Sequence, residues 1–286
     1  MILVLEDPAA THGDEPRIPD LGEDHQSVIS LLCPPTVARS ASDLPVPLTS
    51  RFAASAHGTV ATTAHPGACG REPDLWRTDV AGNQWPLIRS ERVALIADLE
   101  NVTDAQWSTQ SLCSAWTVRD VLAHMTTTAK MTPGRFFGKL AGSGFRFNVM
   151  NDNGVKEEQG ATPADALAGF KAQLDRTTAP PGPLDAMVGE IVIHSQDIRR
   201  PLGIAHTFQP EAVTLVGDFV TRGNLLLGGK RRATGLTLTA TDVDWTRGTG
   251  PEVKGPLASI ILALTGRRAG LADLTGDGLA ALTGRI

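Results

Sequence analysis

Residues 183–203 read PLDAMVGEIVIHSQDIRRPLG, a helical run stopped by Pro201 and Gly203. Within it Glu190, His194 and Asp197 follow one another at i, i+4 and i+7, so they share one helix face with neighbours about 6 Å apart along the axis. Met187, Ile191, Val192, Ile193 and Ile198 surround them. A carboxylate and an imidazole set among apolar side chains are costly to bury without partners. A divalent cation removes that cost, because it supplies charge to the carboxylate and a bond to the imidazole. Helical bundles build such centres from inward side chains on facing helices.

A third ligand therefore belongs on another helix. The stretch 116–125, WTVRDVLAHM, places His124 beside Val121, Leu122 and Met125, behind a capping box formed by Thr117 and Asp120. Of the seven histidines, His12, His25, His57 and His65 lie in an irregular leader and His206 follows the break at Gly203. That leaves His124 and His194 in helix interiors. Two His and one carboxylate keep a coordination position open, the pattern of a catalytic zinc site. Asp197 is expected to orient a ligand from behind, with pairing to Arg199 or Arg200 as the other reading. Each feature alone also has an ordinary structural reading, a core histidine or an i,i+4 contact.

Working outward, residues 86–102 put Ile88, Val93, Leu95, Ile96 and Leu99 on a helical stripe started by Pro86. Residues 161–178 start another helix at Thr162 and Pro163, and 210–229 form one more. The stretch around 138–148 is Gly-rich and reads as a break. From Thr234 the pattern alternates, Leu236, Leu238 and Ala240 against Thr, as in a half-buried strand. Residues 257–267 give a short apolar helix. The expected fold class is α+β. A four-helix bundle over 83–228 precedes a small α/β domain over 229–286, and a disordered or irregular Pro-rich leader fills 1–82.

The chain has 286 residues, 41% of them hydrophobic, and a formal net charge of -5. No Lys or Arg run forms a stripe, which argues against nucleic acid as a partner. No apolar run approaches the roughly 18 residues that span a bilayer, so no membrane association is expected. Three widely spaced cysteines make no CxxC knuckle and no disulfide framework, which fits a cytoplasmic protein.

Three stretches, WTVRDVLAHM, GEIVIHSQDIRRPLG and ATDVDWTRGTGPEVKGPLASIILALTGR, resemble the mycothiol-dependent maleylpyruvate isomerase family, a relative of the DinB-like helical bundles. The resemblance runs from about residue 84 to the end and leaves the leader without a counterpart. It implies a divalent metal, usually Zn2+, on His124, Glu190 and His194. It also implies the thiol mycothiol as cofactor, an actinobacterial cytoplasm, and a small sterol-carrier-like C-terminal unit helping to cover the site. It does not fix the substrate. The reaction then expected is attack of a metal-bound thiolate on a small electrophile, as isomerase or S-transferase, by a monomer or homodimer. Arg267 is expected to grip a substrate or cofactor carboxylate, or else to complement a helix dipole. Two alternatives stay open: a DinB-like metal hydrolase without a thiol, and a non-catalytic metal- or ligand-binding scaffold.

Overall fold

The computed structural model describes residues 83–224 and 227–286. The leader expectation for 1–82 lies outside the described residues. The architecture is α+β: eleven α-helices and one three-stranded sheet among the described residues. The helices are α1 (Trp85–Leu99), α2 (Asp104–Trp107), α3 (Val118–Ala129), α4 (Pro133–Gly142), α5 (Phe147–Glu158), α6 (Pro163–Lys171), α7 (Asp185–Leu202), α8 (Pro210–Arg222) and α9 (Gly229–Ala233). Strands β1 (Thr237–Ala240), β2 (Thr246–Gly248) and β3 (Glu252–Gly255) follow, then α10 (Leu257–Leu264) and α11 (Leu279–Thr283). The sheet order is β2-β1-β3, with β1 antiparallel to β2 and parallel to β3. Among the described residues no helix is long and apolar enough to cross a membrane.

Helix α7 is the axis of the molecule. Every residue from Met187 to Arg199 is buried, because α1, α3, α8 and α10 pack around it. That is why its sequence lacks a polar face and why its few charged groups need partners. It ends where Gly203 adopts a left-handed φ of 69°, with the amide of Ile204 bonded back to the carbonyl of Arg199.

Helix α3 begins as its sequence predicts. The Thr117 amide donates to Asp120 Oδ2 at 2.9 Å, and the Asp120 amide donates to Thr117 Oγ1 at 3.3 Å. Thr162 and Asp165 cap α6 in the same way, ahead of Pro163. Arginines close the other ends. Arg92 donates to the carbonyls of Gln173 and Arg176 beyond α6, and Arg119 to those of Gln159 and Gly160 beyond α5. Because α3 carries His124, its cap bears on function as well as stability. Thr117→Ala is expected to lower unfolding free energy by about 1 kcal/mol, read from the denaturant midpoint at unchanged slope.

Three expectations shift. Val93 does not join the buried stripe of α1: it is 42% exposed, and Leu87, Glu91 and Arg92 take the inner face with Ile88, Leu95 and Leu99. Five residues from Ile88, Val93 points about 140° away from it at 100° per residue. The Gly-rich stretch does hold a break, but a short one at 143–146, with α4 running up to it and α5 starting after it. Gly134, Gly138 and Gly142 have nothing within 4 Å of a Cβ, so they face open space and leave the packing intact. Gly154 is different, since a Cβ there would sit 2.7 Å from Thr127 Cγ2, and it lets α5 cross tightly against α3. The helix read over 210–229 ends at Arg222, with α9 as a separate turn.

One hydrophobic core runs from α1 through α7 and α8 into β1, Trp245 and α10. Gly217 of α8 makes this junction possible, because a Cβ there would lie 3.1 Å from the Trp245 ring and 3.2 Å from Leu257. A smaller apolar cluster of Met131, Phe136, Leu140 and Met150 sits apart from it, between α4 and α5.

Candidate metal centre

Helix α3 presents His124 toward α7, and α7 presents Glu190 and His194 toward α3. His124 Nε2 lies 3.3 Å from Glu190 Oε1, and His194 Nε2 lies 3.6 Å from Glu190 Oε2. One donor atom from each of the three falls within 4.8 Å of the others. The imidazoles stand edge to face, with ring centroids 5.0 Å apart. All three residues are buried, His194 completely.

The donors point at one another without satisfying one another. Both ring nitrogens of His124, Oε1 of Glu190 and Nε2 of His194 have no hydrogen-bond partner. Buried polar atoms left in that state are rare and costly. Burial, joined by the nearby His194, pushes the His124 pKa well below 6.5, which keeps the ring neutral and its lone pair available. Burial pushes Glu190 upward, only partly countered by His194 and a hydrogen bond from the Thr128 hydroxyl. Two imidazoles and a carboxylate short of compensation form a donor set for a cation. Each histidine Nε2 stands 3.3 or 3.6 Å from its own Glu190 oxygen, and one donor from each residue falls within 4.8 Å of the others, close enough for a shared ion. The residues present thus fit a divalent metal.

Behind the donors runs a second line of contacts. His194 Nδ1 lies 2.8 Å from Asp197 Oδ2, so the ring proton sits on Nδ1 and Nε2 is bare toward Glu190. Asp197 does not pair with Arg199 or Arg200, which bind Asp98 and Asp273. Arg267 grips it instead, with Nε 3.1 Å from Oδ1 and Nη2 2.9 Å from Oδ2. Burial alone raises the Asp197 pKa, but the Arg267 charge and the His194 contact outweigh it and hold the carboxyl below 3.8. The Arg267 guanidinium is engaged with Asp197 and the Thr265 carbonyl, behind the donor triad.

Cys113, His194 and Asp197 make a second cluster of potential donors. The Arg267 guanidinium already stands there, 2.9 Å from Asp197 and 4.0 Å from Cys113 Sγ, so a cation is better accommodated on the other side of His194.

Two features escape sequence reasoning. Trp116 lays its ring 4.8 Å from that of His124 and is anchored by its indole N–H on Asp152. Thr128 lies one turn after His124, and that i,i+4 spacing was the available signal. A cavity of about 50 Å3 reaches His124 and Glu190, with Met131, Phe136 and Met150 on one wall and Met187 on α7.

Residues 88–182 match the family described as the mycothiol maleylpyruvate isomerase N-terminal domain. No curated protein matches the chain. Among solved structures, the crystal structure of a mycothiol-dependent maleylpyruvate isomerase is 16% identical with a TM-score of 0.49, covering 68% of this chain and 91% of that one. A point mutant of such an enzyme is 13% identical with a TM-score of 0.43 at the same coverage.

Proposed function

We propose, from the match of residues 88–182 to the mycothiol maleylpyruvate isomerase N-terminal domain family, that this chain is a metal-dependent enzyme using mycothiol to transform a small electrophile. The observation that carries the reading is the convergence of His124 Nε2, Glu190 and His194 Nε2 as buried, unpartnered donors. Zn2+ suits two nitrogens and one oxygen with a position left open. A divalent ion held there supplies the positive charge that draws the proton from a thiol near neutral pH.

The chain's own residues do the rest. His124 and Glu190 line the cavity together with Met131 and Phe136, so a ligand held there lies beside the donors. Asp197 fixes the His194 tautomer and ring angle, and Arg267 fixes Asp197. The apolar wall excludes water, which preserves a nucleophilic thiolate from solvation. Addition of the thiol to an unsaturated carbon, rotation and expulsion of the thiol give isomerisation. Retention of the adduct gives S-transfer. Arg267 is a positioning residue in this scheme, and a cytoplasmic location goes with the thiol.

Turnover of an electrophile is expected to require both metal and mycothiol. Omitting the thiol should lower the rate by about a hundredfold or more, the scale of losing the nucleophile. A rate abolished by chelator yet indifferent to thiol selects metal-assisted hydrolysis instead. No turnover under any condition, with metal retained, selects the scaffold.

A further inference from the structure

The cavity in front of the metal donors has an uneven chemistry. Met131, Phe136, Met150, Pro180, Ala186 and Met187 supply most of its wall. The two hydroxyls on that wall already have partners, and the other polar side chains there are Asn151 and the donors His124 and Glu190. Thr127 Oγ1 donates to the carbonyls of Ala123 or Gly154, at 3.1 and 2.9 Å. Thr128 bonds Glu190. Among the described residues no Lys or Arg lines the cavity, and the charged group that does is the carboxylate of Glu190. Arg267 is turned onto Asp197.

We infer that the ligand this cavity selects is an uncharged small molecule with an apolar body, and that dicarboxylates are disfavoured. Calling that ligand the substrate rests on the function proposed above; the binding preference does not. A carboxylate brought into the cavity loses its water and finds neither a guanidinium nor an ammonium nor a free hydroxyl there. A divalent ion, Glu190 and a thiolate together sum to no net charge, so the loaded centre leaves no cation for a diacid. Thioether and aromatic surface favours alkyl or ester groups, and methionines adapt to their shape.

The test compares diethyl succinate with succinate, which share a carbon chain, differ in charge and do not react with thiols. Binding of each to the metal-loaded full chain is measured by calorimetry, with and without mycothiol. The diester is expected to bind at least about tenfold more tightly, since discrimination here comes from an unpaired buried charge. Met150→Lys should narrow or reverse that ratio. Phe136→Ala should weaken the diester and leave the diacid unchanged, a second check should the lysine variant fold poorly. A diacid as tight as the diester in the presence of mycothiol, or a diester that fails to bind at millimolar concentration, overturns the inference. The thiol reading fails separately, through turnover indifferent to mycothiol.

Discussion

His194→Ala is expected to reduce bound metal from about one equivalent to nearly none after dialysis, read by atomic emission on the purified chain, with the fold retained. The three donors are not interchangeable in what their loss does. His194 contributes Nε2 from the most buried position of the centre, with its ring held by Asp197 on the far side. Removing it deletes a ligand and the link to that support. His124→Ala deletes a ligand from α3 and opens a space beside Trp116, whose ring lies 4.8 Å from the imidazole. Glu190→Gln keeps shape and one oxygen but removes the charge that two imidazoles cannot supply. All three should lose metal, Glu190→Gln least abruptly, because an amide oxygen still coordinates weakly. In the metal-free state the order reverses for stability. Glu190→Gln relieves a buried carboxylate whose pKa burial already drives upward, and should raise the unfolding midpoint of chelator-treated protein. Stoichiometric metal in the His194→Ala protein would refute the centre outright.

How far the sequence carried this site follows from where its information sat. Spacing within α7 and the caps of α3 are local properties. Glu190, His194 and Asp197 on one face, and Thr117 opposite Asp120, were therefore legible directly. His124 stands out in the sequence as a histidine inside a helix, and the fold packs that helix, α3, against α7. What the sequence leaves hidden is long-range or depends on solvent exposure. Arg267 meets Asp197 across 70 positions, so nothing local to the segment after α10 announces that its charge faces inward. Helices α4 and α5 contain four glycines that depress local propensity, and a single sequence does not show which face open space. Val93 is apolar and lies next to the stripe, yet it faces solvent. Arg92 and Glu91, buried for hydrogen bonds, held the place.

The second large effect concerns Arg267. Arg267→Met should destabilise the protein by about 3–5 kcal/mol at neutral pH, the scale of stranding one member of a buried ion pair. Asp197 is fully buried, and the guanidinium supplies two of the contacts to its carboxylate. The pH dependence carries the sign that separates this from simple cavity formation. In the native protein the Asp197 carboxyl is held below 3.8, so its contribution is present above about pH 4 and is lost as pH falls through the lowered value. Without Arg267 the burial effect dominates and the folded pKa rises above the unfolded one. The variant is then least impaired in mild acid, where Asp197 is protonated, and loses stability as pH rises. A cavity alone gives a deficit independent of pH. Adding Asp197→Asn to Arg267→Met should recover much of the stability, because the stranded charge is gone. It should not recover the metal. The His194 ring has lost its carboxylate, and loss of such a supporting partner typically weakens metal binding tenfold to a hundredfold. A double variant that is stable yet weak for metal identifies Arg267 and Asp197 as positioning residues. One that is stable and binds metal like the parent reduces them to a structural ion pair.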